Sequence, residues 1–174
     1  MSDPRYPVGK YERRDVLTED ERAAMIEQIA ATPQKLREAV AGLTPQQLET
    51  PYREGGWTLR QVVHHIPDSH MNSYVRFKLA LTETTPTIRP YDEARWAELP
   101  DSVDTPPETS MQLLESLHDR WVRLLRSMST DDFRRTLSHP ENGLMTLDAM
   151  VALYAWHGRH HVAHITATRE RNGW

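Results

Sequence analysis

Between positions 157 and 164 the chain reads His157-Gly158-Arg159-His160-His161-Val162-Ala163-His164. Imidazole is a ligand for divalent metals, and two imidazoles four positions apart on a helix can aim ring nitrogens at one ion. At about 100° per residue, with His157 as zero, His161 falls at about 40°, His164 at about 340° and His160 at about 300°. Leu147, Met150, Leu153, Tyr154 and Ile165 fill the arc from about 320° to about 80°, so His157 and His161 share the apolar face. A single core histidine is ordinarily satisfied by one hydrogen-bond partner. Two of them one turn apart each need a partner, and one ion serves both.

A second group, His64, His65 and His70, lies near the middle of the chain. The apolar face formed by Leu59, Val62, Val63, Ile66, Phe77 and Leu81 excludes His64, which falls on the opposite, polar side. His70 falls near the centre of that face and His65 at its edge, and periodicity does not choose between them. His65, Ser69, Asn72 and Arg76 lie within about 60° of one another. They form a polar stripe suited to the wall of a wet pocket, with Arg76 able to hold an anionic group. His118 and His139 stand alone and receive no role.

Three neutral imidazoles around a divalent ion leave a coordination position open, which is the catalytic rather than the structural type of site. Such an ion lowers the pKa of bound water toward 7, or holds a thiol as thiolate. Gly158-Arg159-His160 separates His157 from His161, so the glutamate of a His-Glu-x-x-His motif is absent. His164 and Asp68 are the candidate proton acceptors.

The elements that must position these rings are helices. Thr18 precedes Glu19, Asp20 and Glu21 and starts the first, with Met25, Ile26, Ile29 and Ala30 at helical spacing. Thr32-Pro33 is expected to break or bend it, and Gly42 to stop it. Thr44-Pro45-Gln46-Gln47 starts a short turn of helix. Thr58-Leu59-Arg60-Gln61 is a capping box opening a second long helix to about Leu81, with a kink expected at Pro67. Residues 84–107 are proline-rich and lack a sustained period, as a long crossover would. A third helix spans about Glu108 to Met128, and a fourth runs from Thr146 or Leu147 to about Arg171. His139-Pro140-Glu141-Asn142-Gly143 reads as a loop, residues 1–17 as an extended arm, and no segment reads convincingly as a strand. The expected fold class is all-α, a four-helix bundle in one domain spanning 1–174.

Composition narrows the function. The chain has 174 residues, a net charge of −4, nine histidines and no cysteine. The mild acidity gives no electrostatic footprint for nucleic acid or an anionic membrane. The missing cysteine excludes disulfides, thiolate metal ligands and a cysteine nucleophile. The amino terminus lacks the apolar stretch of a secretory signal, and no run suits a transmembrane helix, so a cytoplasmic location is expected.

The run from Tyr52-Arg53-Glu54-Gly55-Gly56-Trp57 through Thr58-Leu59-Arg60-Gln61-Val62-Val63-His64-His65 resembles the second-helix motif of the DinB superfamily. Asp68 to Tyr74, Arg89-Pro90-Tyr91, and Leu153-Tyr154-Ala155-Trp156-His157-Gly158-Arg159-His160-His161 are similar to its YfiT-like branch. That branch includes bacillithiol transferases and proteins labelled metal-dependent hydrolases. The resemblance covers nearly the whole chain and implies an up-down-down-up bundle, with the long crossover between its second and third helices. It also implies a metal triad of one second-helix histidine and a fourth-helix HxxxH pair, which in this chain are His65, His157 and His161. Pro67 and His164 depart from the family pattern. The implied cofactor is one divalent ion per subunit, zinc or alternatively nickel, since imidazole suits both. The expected activity is transfer of a low-molecular-weight thiol to an electrophilic small molecule. The alternatives are hydrolysis by metal-bound hydroxide and a non-catalytic metal-binding bundle. The resemblance further implies a homodimer.

Overall fold

A computed structural model describes residues 3–174. The first two positions of the expected arm lie outside the described residues. The elements are α1 (Glu19–Val40), α2 (Pro45–Leu48), α3 (Leu59–Thr82), α4 (Glu93–Trp96), α5 (Pro100–Val103), α6 (Pro107–Ser127), α7 (Thr130–Phe133), β1 (Thr136–His139), β2 (Gly143–Thr146) and α8 (Leu147–Asn172). Helices α1, α2 and α3 open on reciprocal capping boxes: Thr18 with Glu21, Thr44 with Gln47, and Thr58 with Gln61. In each, the threonine hydroxyl accepts from the third-residue amide and the acidic or amide side chain accepts from the threonine amide.

The long helices α1, α3, α6 and α8 form a four-helix bundle, and cross-helix pairs give its direction. Arg22 meets Asp148, Gly158 abuts Thr32, and Arg169 reaches the Ala39 carbonyl, so α1 and α8 run parallel. His64 with Ser110 and His70 with His118 make α3 and α6 parallel. Arg37 pairs with Glu108, whereas Glu27 pairs with Arg126, so α1 and α6 oppose. The course is therefore up-down-down-up, and the segment between α3 and α6 must travel the length of the bundle.

Packing narrows one expectation and overturns another. Of the break or bend expected at Thr32-Pro33, the break does not occur, because α1 continues through both buried residues to Val40. A Cβ added at Gly158 would lie 2.5 Å from the Thr32 hydroxyl oxygen, so α8 presses α1 at this turn and holds it helical. Pro33 still removes one amide, the one that would have bonded the Ile29 carbonyl. Nor is the chain free of strands: β1 and β2 pair antiparallel from Thr136↔Thr146 to His139↔Gly143. Gly143 supplies the positive φ of 70° where the hairpin reverses. Strands of four residues are too short to leave a clear alternation, and the hairpin is fixed from outside by Ser138, which exchanges backbone bonds with Pro86 and Ile88 of the crossover.

The core is split. Ile26, Ile29, Phe77, Trp121, Leu125, Leu147 and Met150 belong to one apolar cluster, and Leu36, Leu59, Val62, Ile66, Leu114 and Ile165 to another. Along α1, α3, α6 and α8 the change from one cluster to the other falls at Thr32, at 65–70, at His118 and at 157–161. Buried histidines occupy the layer between the clusters. Arg22 and Asp148, also buried, tie the arm to the bundle, since Asp148 accepts from the Leu17 amide and Arg22 donates to the Leu17 carbonyl.

Candidate metal centre

Helix α3 brings His65 to α8, where its Nε2 lies 3.2 Å from His157 Nε2. His161 completes a group whose donor atoms all lie within 4.8 Å of one another, and no carboxylate belongs to it among the described residues. Tetrahedral zinc with metal–nitrogen bonds of about 2.0–2.1 Å needs donors about 3.3 Å apart, so the spacing and the all-imidazole donor set fit a divalent ion. His161 Nδ1 is buried without a hydrogen-bond partner, a further sign of a site made to hold something. Burial pushes His65 down to about 3 and holds His157 and His161 well below the ordinary histidine value. Neighbouring imidazoles add to the shift, so all three are neutral and able to ligate at pH 7.

His157 and His161 line a cavity of about 570 Å³, and His65 meets His157 from outside that lining. Trp57, in the loop before α3, lies 4.7 Å from the His65 ring, centroid to centroid. Tyr52 stacks on His164 at 4.0 Å and Trp156 on His160 at 4.2 Å. His160, His161 and His164 form a second group of convergent donors, sharing His161 with the first. Burial lowers His160 and His164 to about 4, and both His164 nitrogens lack partners.

The polar stripe divides. Ser69 and Arg76 line the cavity with Tyr91, Glu93, His139 and Glu141. The Ser69 carbonyl accepts from Tyr154 Oη at 3.2 Å, and Arg76 donates to the Arg89 carbonyl at 3.2 Å, which anchors it to the crossover. Asn72 faces a separate depression beside Arg89 and Trp96, and its amide bonds the Asp68 carbonyl one turn back. It does not join the cavity, because the two cavity-lining positions are about two turns from each other along one line of α3 and Asn72 lies off that line. Asp68 is also absent from the cavity lining, although burial raises its carboxyl to about 6.

Two histidines, His64 and His118, differ from their sequence reading, whereas His70 is buried as its place near the centre of the apolar face implied. His64 is not on a solvated face. Its Nδ1 meets Ser110 Oγ at 2.7 Å and its Nε2 meets the Thr105 carbonyl at 3.0 Å, because the end of the crossover covers that side. His70 and His118 are buried and bonded to each other, Nδ1 to Nε2, at 2.8 Å. His70 Nε2 lies 3.1 Å from His157 Nδ1, and His118 Nδ1 donates to the Ile29 carbonyl at 2.9 Å. Burial lowers His118 to about 4 and His70 well below its ordinary value. The sequence reading also assigned no role to Trp57 and Tyr52. Their signal was the Gly55-Gly56 turn between them, which folds both rings back over the cavity.

The DinB superfamily model matches residues 28–165, and the chain belongs to that family. A protein of Bacillus cereus strain 03BB102 is 55% identical over 174 residues, all of both chains, and one of Bacillus anthracis strain A0248 is 54% identical over the same length. Their names assign them provisionally to the metal-dependent hydrolases. Among solved structures, YfiT from Bacillus subtilis covers 98% of each chain with a TM-score of 0.95 at 49% identity. It too is described provisionally as a metal-dependent hydrolase, with an unusual four-helix bundle topology. The four-helix bundle protein TT2238 aligns with a TM-score of 0.62 at 18% identity, over 84% of this chain and 98% of its own, a likeness of fold.

Proposed function

We propose that the protein is a divalent-metal-dependent enzyme acting on a small molecule held in the cavity beside His65, His157 and His161. The observation that carries this reading is the convergence of three neutral imidazoles, two of which, His157 and His161, line a 570 Å³ cavity. The names of its relatives agree with metal dependence. Zinc is the expected ion and nickel the alternative. When bound, the ion acidifies a coordinated water or thiol.

The remaining work falls to the chain's own groups. Trp57, Trp156 and Tyr52 exclude water from the donor nitrogens and offer flat apolar surface to a substrate. Arg76, held by the Arg89 carbonyl, offers its guanidinium to an anionic group. His164, neutral and without partners, is available to accept a proton. Within this class, transfer of a low-molecular-weight thiol to an electrophile is favoured by a donor group without a carboxylate base, because thiolate attack needs little base assistance. Hydrolysis is the second reading, favoured by Glu93 and Glu141 on the cavity wall, where a carboxylate could take a proton from water. The homodimer expected from the family resemblance belongs to the same proposal, and light scattering on the purified protein checks it.

Metal content decides the first step. Wild-type protein is expected to hold one ion per chain and His65→Ala, His157→Ala and His161→Ala almost none. Retention of stoichiometric metal in the three variants would sink the site. Incubation with an electrophile, with and without bacillithiol, cysteine or glutathione, then separates the chemistries. Metal-dependent thiol consumption supports transfer, and turnover without thiol supports hydrolysis.

A further inference from the structure

Two buried histidines, His70 and His118, and the mid-helix Pro33 have no part in the function proposed above, yet hydrogen bonds join them to His157. A backbone carbonyl can only accept, so in the 2.9 Å contact between Ile29 and His118 it is His118 Nδ1 that carries the proton. A neutral imidazole has one N–H. His118 Nε2 is therefore a lone pair, and the 2.8 Å contact with His70 must be donated by His70 Nδ1. The His70–His118 rings are nearly parallel, 17° apart, with centroids 5.0 Å apart, a separation that leaves room for the ring-to-ring bond. His70 Nε2 is then the acceptor in the 3.1 Å contact with His157, which leaves the proton on His157 Nδ1 and the lone pair on His157 Nε2. That is the nitrogen facing His65 Nε2 across 3.2 Å.

The anchor itself traces to the sequence. In an unbroken helix the Ile29 carbonyl would receive the amide of residue 33, and Pro33 has none. The proline thus frees an acceptor in the middle of α1, at the level of the histidine layer, and His118 takes it.

We propose that His70 and His118, anchored on the carbonyl freed by Pro33, act as positioning residues that lock His157 in the tautomer whose Nε2 lone pair faces the metal centre. A ligating histidine is ordinarily held by a carboxylate or carbonyl bonded directly to its other nitrogen. Here the carbonyl acts from two rings away, and no carboxylate is among the hydrogen-bond partners of His157 in the described residues. The inference rests on the metal reading for its purpose but not for its geometry, and the two can fail separately.

The test has a spectroscopic and a binding arm. Long-range proton–nitrogen spectra of metal-free, 15N-labelled wild-type protein at neutral pH should show the Nδ1–H form for His118, His70 and His157. An Nε2–H form at any of the three overturns the lock. Zinc affinity, measured by chelator competition, should fall about 10- to 100-fold in His70→Leu and in His118→Leu. His118→Gln, which keeps an amide donor and acceptor, should restore it to within roughly threefold of wild type by the same reasoning. Unchanged affinity in both leucine variants, or an equal loss in leucine and glutamine variants of matched thermal stability, overturns the proposal. Wild-type protein that shows the stated tautomers yet binds neither zinc nor nickel supports the lock and sinks the metal reading instead. Zinc bound with other tautomers does the reverse.

Discussion

The two sides of His157 are built on opposite rules. On the inner side every imidazole nitrogen has a partner: His157 Nδ1 meets His70, His70 meets His118, and His118 meets a carbonyl. On the cavity side His160 Nδ1, His161 Nδ1 and both nitrogens of His164 are buried with none. Both sides draw on the same residue type, one helix turn apart. An unpaired buried polar group costs about 1–3 kcal/mol, so a fold that leaves several together on one side has kept that side for something that arrives later. Satisfied rings fix a geometry, while unsatisfied ones receive.

Acid should break both sides at once, and it gives the largest expected effect. Burial lowers every one of the nine histidines relative to its ordinary value of 6.5, with His118, His160 and His164 at about 4 and His65 at about 3. Below pH 6.5 the unfolded chain therefore binds more protons than the folded one. Stability should be flat above that pH and fall as pH drops from 6.5 toward 4, with each ring that charges on unfolding contributing up to about 1.4 kcal/mol per pH unit. Denaturant melts of metal-free protein across this range measure the slope. A flat profile would mean that the rings are not buried neutral.

A smaller, local break is available at the turn that seats the inner side. Gly158→Ala drives a methyl against the Thr32 hydroxyl and should cost about 1–3 kcal/mol. Thr32→Ala in the same chain should recover most of that loss, and the double-mutant cycle reads the coupling. Additivity of the two changes would show that α1 and α8 do not touch there.

The smallest effect sharpens the contrast by standing outside it. Asn72 belongs to neither side, and its amide only bonds back along α3. Asn72→Ala should change stability by less than about 0.5 kcal/mol and leave metal content as in the wild type. Loss of metal in this variant would extend the site beyond the cavity described.

Much of this organisation can be read from residue order, and the exceptions share a cause. Helix starts follow from Thr18, Thr44 and Thr58, because capping is settled within four residues. The shared face of His157 and His161 follows from helical period alone. The choice of His65 over His70 came from the family motif, since both rings lie near the apolar face and both in fact point inward. His64 was misjudged as solvated because its cover, Thr105 and Ser110, lies more than forty positions away. His118 looked isolated because its partners, Ile29 and His70, come from α1 and α3. The β1–β2 hairpin escaped notice because its four-residue strands are held by the crossover rather than by a pattern of their own.

Residue order therefore settles the four long helices, the inward face shared by His157 and His161, and the proline that leaves Ile29 without its helical donor. These depend on backbone geometry and on neighbours within a turn or two. Only the tertiary structure decided which imidazole meets which, and in what direction the protons point. That depends on the parallel register of α3 with α6 and the close approach of α8 to α1 at Gly158. A one-turn slip between two helices would leave every helical period intact and separate every ring from its partner.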